Sequence, residues 1–173
     1  MTEKDILITQ TLDTYQWTNT FLNSIPFEKW DITPGILETN VTWQAGHLIM
    51  SNYYHSIMVV AGHQMDVLKM VPLKEYNAFF TDGSPMVCVG KTKPEELLEY
   101  LKIVQEKSIH ILENLSPDDL DHALEPTPIP HPIAKIKREA LDWNIKHTMY
   151  HCGQIGLLKR VIHERYDFGL RKE

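Results

Sequence analysis

The sequence predicts an all-α fold: a four-helix bundle with a long crossover connection between helices 2 and 3. Three observations carry that prediction. Four segments repeat apolar residues at alternating steps of three and four, which is one face of a helix. Proline-bearing stretches that no helix can cross separate several of them. No alternating strand pattern competes; Met86-Val87-Cys88-Val89 is too isolated to build a sheet. Helices with one apolar stripe each bury those stripes best against one another.

The first helix is expected over residues 3–24, with Ile8, Leu12, Tyr15, Asn19 and Leu22 on one face. Pro26 and Pro34-Gly35 then break the chain. Asn40 is a good N-cap for the second helix, whose stripe is Trp43, His47, Met50, Tyr54, Ile57 and Ala61, with Gly62 as its stop. Residues 63–91 are too long for a simple helix hairpin. They are expected to cross the length of the bundle or to hold a short extra helix, so that helices two and three run parallel. Thr92 and Glu95 predict a capping box for the third helix, with Pro94 in its first turn. Leu97, Leu101, Val104, Ser108, Ile111 and Leu115 form its stripe, and Ser116-Pro117 starts a short turn. Pro126, Pro128, Pro130 and Pro132 make a rigid, extended connector. The fourth helix is expected over 133–163, its stripe Ile136, Ala140, Trp143, His147, Tyr150 or His151, Gln154, Leu158 and Val161.

Composition narrows the function classes. With 173 residues the chain is expected to be a single domain, 1–173, that forms a core without disulfide or metal staples. A net charge of −6 argues against nucleic acid as a partner, because phosphate-backbone binding wants the opposite sign. Cys88 and Cys152 cannot make a disulfide framework and suit a reducing, cytoplasmic setting. No signal peptide is expected at the mixed-charge start, and no apolar run approaches the roughly 18 residues of a membrane span.

Nine histidines are the unusual feature. His147 and His151 are four apart, so both side chains lie on one helix face, on or beside the apolar stripe. His47 sits mid-stripe on helix two. An unpaired polar group at such positions costs about 1–3 kcal/mol. Two readings stay open on these residues: a shared metal site, or a buried hydrogen-bond network using Asn144, Gln154, Tyr54 and Asn19. His55 falls about 80° round from His47 on an ideal helix and is expected to point elsewhere. His63, His110, His122, His131 and His163 are expected at the surface or at boundaries, and Cys152 as a packed thiol.

The segment with Trp43, Gly46, His47 and Leu48 resembles the start of helix two in the DinB/YfiT-like family. His147, His151, Gly153, Gln154 and Ile155 resemble that family's closing signature, about 100 residues later, and Thr92 to Leu101 its third-helix opening. The resemblance implies a four-helix bundle with a long crossover and a divalent metal held by His47, His147 and His151. It also implies a homodimer and, for some members, transfer of a low-molecular-weight thiol onto an electrophile. Cys152 stands where many members carry Arg, which withdraws any substrate contact that Arg would make but leaves the ligand set intact.

Three neutral imidazoles would leave a divalent ion's charge uncompensated and a coordination position open, the pattern of a catalytic site. Bound water would be acidified toward a pKa of about 7, and a bound thiol would be deprotonated. The expectation is therefore a metal-dependent enzyme acting on a small molecule, with one divalent transition metal (Zn, Ni or Fe) and a low-molecular-weight thiol cosubstrate. The alternatives are a metal-dependent hydrolase on the same site and a non-catalytic metal-binding or ligand-binding bundle. Tyr54, Asn144, Asn19 and Ser108, polar residues on otherwise apolar faces, are expected to contact substrate. No general base stands out.

Overall fold

The computed structural model describes residues 1–170. Among them are six helices and no strand: α1 (Glu3–Asn23), α2 (Val41–Asn52), α3 (Met65–Met70), α4 (Leu73–Phe80), α5 (Pro94–Asn114) and α6 (Lys137–Ile162). Helix α2 continues without a break through a π-helical segment, Tyr53–Met58, into a last turn, Val59–Ala61. Two 3₁₀ turns, Phe27–Lys29 and Asp118–Asp121, punctuate the connections.

The helix ends follow local chemistry. Thr2 accepts from the Asp5 amide while the Asp5 carboxylate accepts from the Thr2 amide, a reciprocal capping box. Asn40 Oδ1 caps α2 at the Trp43 amide (2.8 Å), and its Nδ2 donates to Thr33 Oγ1 and the Pro85 carbonyl. Gly62 ends the helix at a φ of 75°, which only glycine adopts without strain. The box expected at Thr92 and Glu95 does not form: Lys93 takes the cap position and Thr92 Oγ1 is buried without a partner. Helix α6 begins at Lys137 rather than at Ile133, because the preceding residues are tied into a bridge between Ala123 and Ile136.

Helix α2 packs on α4, α5 and α6, while α1 packs on α5 and α6. The shared core includes Leu22, Trp30, Leu48, Ile49, Leu97, Leu101, Leu112, Ile155 and Leu158, all fully buried. Charged side chains tie the helix ends together. Lys4 Nζ donates to the Glu113 and Leu115 carbonyls (2.6 Å each), and the buried Lys159 Nζ donates to the Ser24 carbonyl (3.1 Å) at the end of α1.

The buried face of α1 departs from the expected stripe. Leu12 is exposed, whereas Thr11, Thr14 and Thr18 are buried. Thr11 and Thr18 donate their hydroxyls to carbonyls four residues back (2.7 and 2.9 Å), so burial leaves those donors satisfied. On α6, Tyr150 and Val161 are exposed, and Asn144, Thr148 and Cys152 take core positions. The expected stripe of α2 is its less buried side: Trp43, His47, Met50 and Tyr54 are half-buried, while nearly every other residue of the helix is buried. That half-open side is where the histidines gather.

Candidate metal centre

His47 on α2 and His147 and His151 on α6 bring one ring nitrogen each within 4.8 Å of one another. His147 Nε2 and His151 Nε2 are 3.2 Å apart, and the His47 ring centroid is 4.7 Å from that of His151. Two of the three rings are fixed from behind. His47 Nδ1–H donates to the Phe80 carbonyl (2.7 Å). His151 Nδ1–H donates to Gln44 Oε1 (2.7 Å), whose amide nitrogen in turn donates to Thr39 Oγ1 (3.1 Å). With those protons on Nδ1, the Nε2 atoms of His47 and His151 carry lone pairs. This is how ligand histidines are commonly oriented, the outer nitrogen bonded to a carbonyl or amide oxygen.

The backbone explains how Phe80 reaches His47. A methyl on Gly46 would sit inside the Phe80 ring, so only glycine lets α4 lie this close to α2. The glycine next to the histidine thus admits the carbonyl that orients it. Trp43 stacks on His47 with ring centroids 4.7 Å apart and planes 9° from parallel, and Trp143 stacks on His147 at 5.9 Å. Both tryptophans wall the cluster.

Burial holds all three rings neutral. It lowers the proton affinity of His47, pushes His147 down to about 4, and pushes His151 down to about 3, with the neighbouring imidazoles adding to the effect. Neutral imidazoles with convergent lone pairs suit a divalent transition ion. The group is not closed without an ion: among the described residues His147 Nδ1 is buried without a partner, and the one hydrogen bond inside the cluster is that between His147 Nε2 and His151 Nε2, whose proton an ion would replace. A histidine cluster built only for stability would use these nitrogens as a closed hydrogen-bond network.

A cavity of about 690 Å³ opens beside the cluster. His47 and His147 form part of its wall, with Met50, Tyr54, Met58 and Leu68 among the others. Among the described residues no carboxylate lines it, and Lys74 is its one charged residue.

The four polar residues expected at substrate divide. Tyr54 lines the cavity, its hydroxyl donating to the Ile129 carbonyl at 3.4 Å. Asn144 and Ser108 do not reach it. They sit in a separate buried network, where Asn144 Nδ2 donates to the Tyr15 hydroxyl and that hydroxyl donates to Ser108 Oγ (3.0 Å each). Asn19 exchanges two amide hydrogen bonds with Gln105 (2.8 and 3.2 Å) beside a groove between α1 and α5. A polar break in an apolar stripe marks a buried partner as readily as a substrate contact, and three of these four found their partners away from the cavity.

Four residues beside the cluster escaped the sequence reading: Gln44, Phe80, His55 and His131. His55 is 8% exposed and lines the cavity, its ring centroid 5.2 Å from that of His147. The 80° offset from His47 assumed a uniform α-helix. The wider π turns of Tyr53–Met58 advance less per residue and bring His55 back round. His131 in the proline-rich connector meets it, with His55 Nδ1 and His131 Nε2 2.8 Å apart. Burial, then the neighbouring imidazoles, push His55 down to about 3. For Gln44 a buried amide three residues before a candidate ligand was a usable signal; nothing in the sequence marks Phe80.

Among curated proteins nothing matches the chain. Among the described residues no helix is long and apolar enough to cross a membrane. The chain does match the DinB superfamily over residues 10–155, a span that includes both histidine segments and all six helices at least in part. On that match, with a three-histidine group on its second and last helices, the chain belongs to the DinB superfamily.

Proposed function

We propose that this protein is a metal-dependent enzyme in which His47, His147 and His151 hold one divalent transition ion, and that it transfers a low-molecular-weight thiol to a small electrophile. The observation that carries the proposal is the convergence of three imidazoles whose outer nitrogens, for His47 and His151, are anchored on Phe80 and Gln44. The scaffold we propose is a four-helix bundle of α1, α2, α5 and α6, with α2 and α5 parallel and α3 and α4 in the crossover between them. The Lys4 and Lys159 contacts, which set α1 against α5 and alongside α6, support that arrangement, as do the Gln44–His151 and Asn52–Thr148 bonds, which run α2 against α6.

When bound, the ion would supply uncompensated positive charge that favours the thiolate form of a small thiol at neutral pH. The chain's own residues do the rest. Gln44 and Phe80 hold two imidazoles in the tautomer that presents Nε2. Trp43 and Trp143 exclude water from two sides, and the cavity receives the apolar part of the electrophile. A hydrolase on the same site is the second reading. The lack of a carboxylate among the described residues that line the cavity favours the thiol, because water activation usually needs a general base as well as an ion.

The test is metal content by mass spectrometry for wild type, His47→Ala and His147→Ala, purified without a metal-binding tag. About one divalent ion per chain in wild type and loss in both variants is expected, the ratio of a single shared site. No metal in wild type, and none on reconstitution, would reduce the cluster to a buried polar network.

A further inference from the structure

The His55–His131 pair lies outside the three-histidine group, and its hydrogen bonds fix where its protons are. His131 Nδ1 accepts from two backbone amides, those of Ile133 (3.2 Å) and Ala134 (2.8 Å). A nitrogen that accepts carries no proton, so His131 is neutral with its proton on Nε2. That Nε2–H points at His55 Nδ1, 2.8 Å away, and donates to it. His55 Nδ1 is therefore the acceptor, and the neutral His55 ring carries its proton on Nε2. Among the described residues His55 Nε2 has no hydrogen-bond partner, and the ring lines the cavity.

Three features hold this arrangement in place. The π-helical segment Tyr53–Met58 aims His55 into the cavity wall, and such segments recur at functional sites. Tyr54 stacks on His131, centroids 5.5 Å apart and planes 1° from parallel. The proline-rich connector also places Ile129, Pro130 and Pro132 on the cavity wall. The ligand space thus has an apolar body, from Met50, Met58, Leu68 and Ile129, and a directed N–H donor beside the histidine cluster.

We propose that His55 is the specificity donor of this cavity: His131 holds its Nε2–H toward the ligand, which is an apolar small molecule bearing a carbonyl or similar acceptor oxygen. His131 is the positioning residue. A site built to donate to an acceptor discriminates against an analogue that lacks one, because the buried donor is then left unpaired. The inference rests on the reading of this cavity as the ligand site, but it does not require the metal.

The test uses the full chain as purified, with metal content measured on the same sample. Long-range ¹⁵N NMR reads the tautomers, and both His55 and His131 are expected to carry the proton on Nε2. Acetophenone and ethylbenzene, matched in shape and differing in the carbonyl, serve as probes by NMR titration. Loss of one hydrogen bond predicts that His55→Leu weakens acetophenone about fivefold to tenfold. Ethylbenzene binding should stay unchanged, and His55→Gln, which keeps an N–H donor, should restore most of the acetophenone affinity. His131→Leu should leave His55 as a tautomer mixture. A proton on His55 Nδ1 would overturn the proposal. So would acetophenone binding that is absent in wild type or as tight in His55→Leu. If His55→Leu does not fold, the wild-type tautomer decides. A metal-free chain that keeps the Nε2 proton and the carbonyl preference sinks the metal reading and leaves this one standing. A metal-loaded chain with the opposite tautomer does the reverse.

Discussion

Two buried polar clusters share the core, and they are built on opposite principles. Around Tyr15, hydroxyls and amides from α1, α5 and α6 bond one another; nearby, Thr148 donates to Asn52 Oδ1 (2.9 Å) and Ser56 to the Asn52 carbonyl (2.6 Å). Its leftovers are one donor, Asn52 Nδ2, and one acceptor, Asn144 Oδ1. Around His47, donors point outward to Phe80 and Gln44 while the inner nitrogens face each other. The first cluster bonds mostly within itself and specifies packing. The second spends two hydrogen bonds on orientation and keeps a single one, at 3.2 Å between His147 Nε2 and His151 Nε2, at its centre. Burial of polar atoms alone does not separate the two kinds; the direction in which the donors point does.

The comparison can be broken at several places. The largest expected effect is at Gly46. Gly46→Ala drives a methyl into the buried Phe80 ring and should cost about 3 kcal/mol by overpacking, read by urea unfolding. The same variant should lose metal affinity, since the Phe80 carbonyl can no longer stay on His47. Gln44→Leu comes next. It removes the oxygen behind His151 and should weaken the metal about 10–100-fold in a competition titration. Retained affinity would show that the outward bonds do not organise the cluster. Tyr15→Phe strands Ser108 and Asn144 and should cost about 1–2 kcal/mol in the same unfolding assay, with metal stoichiometry unchanged. A drop in metal content there would join the two clusters into one.

The last effect is graded rather than abrupt. His147 and His151 are held at about 4 and about 3 in the folded chain, against about 6.5 for a free imidazole. The unfolded chain therefore binds more protons at any pH between those values, and stability falls as pH drops through that window. Thermal midpoints of metal-free protein should decline between pH 7 and pH 5 in wild type. They should decline less in His151→Ala, and an equal decline would place the sensitivity elsewhere.

Much of this was legible in the sequence, for reasons the residues show. The Asn40 cap and the Gly62 stop depend on local rules, and they are local in the structure too. The three histidines stand out because side chains four apart on α6 and one mid-helix on α2 are polar where apolar residues were due. What stayed hidden needed partners distant in sequence. Thr14 and Thr18 lie off the expected stripe of the first helix, and only the packing of α1 reveals their burial. Phe80 acts through its backbone carbonyl, which no side-chain pattern reveals. His55 was displaced by a change of helix type that a fixed 100° step cannot register.

The stretch that carries His131 has prolines at alternate positions, Pro126, Pro128, Pro130 and Pro132. Each ring fixes its own φ and narrows its predecessor before the chain ever folds. The unfolded ensemble has already surrendered much of the freedom that an ordinary seven-residue loop would lose on folding. The connector is therefore a bracket whose shape is largely decided by covalent structure, and it can hold one imidazole against another at the protein surface with little help from a core of its own.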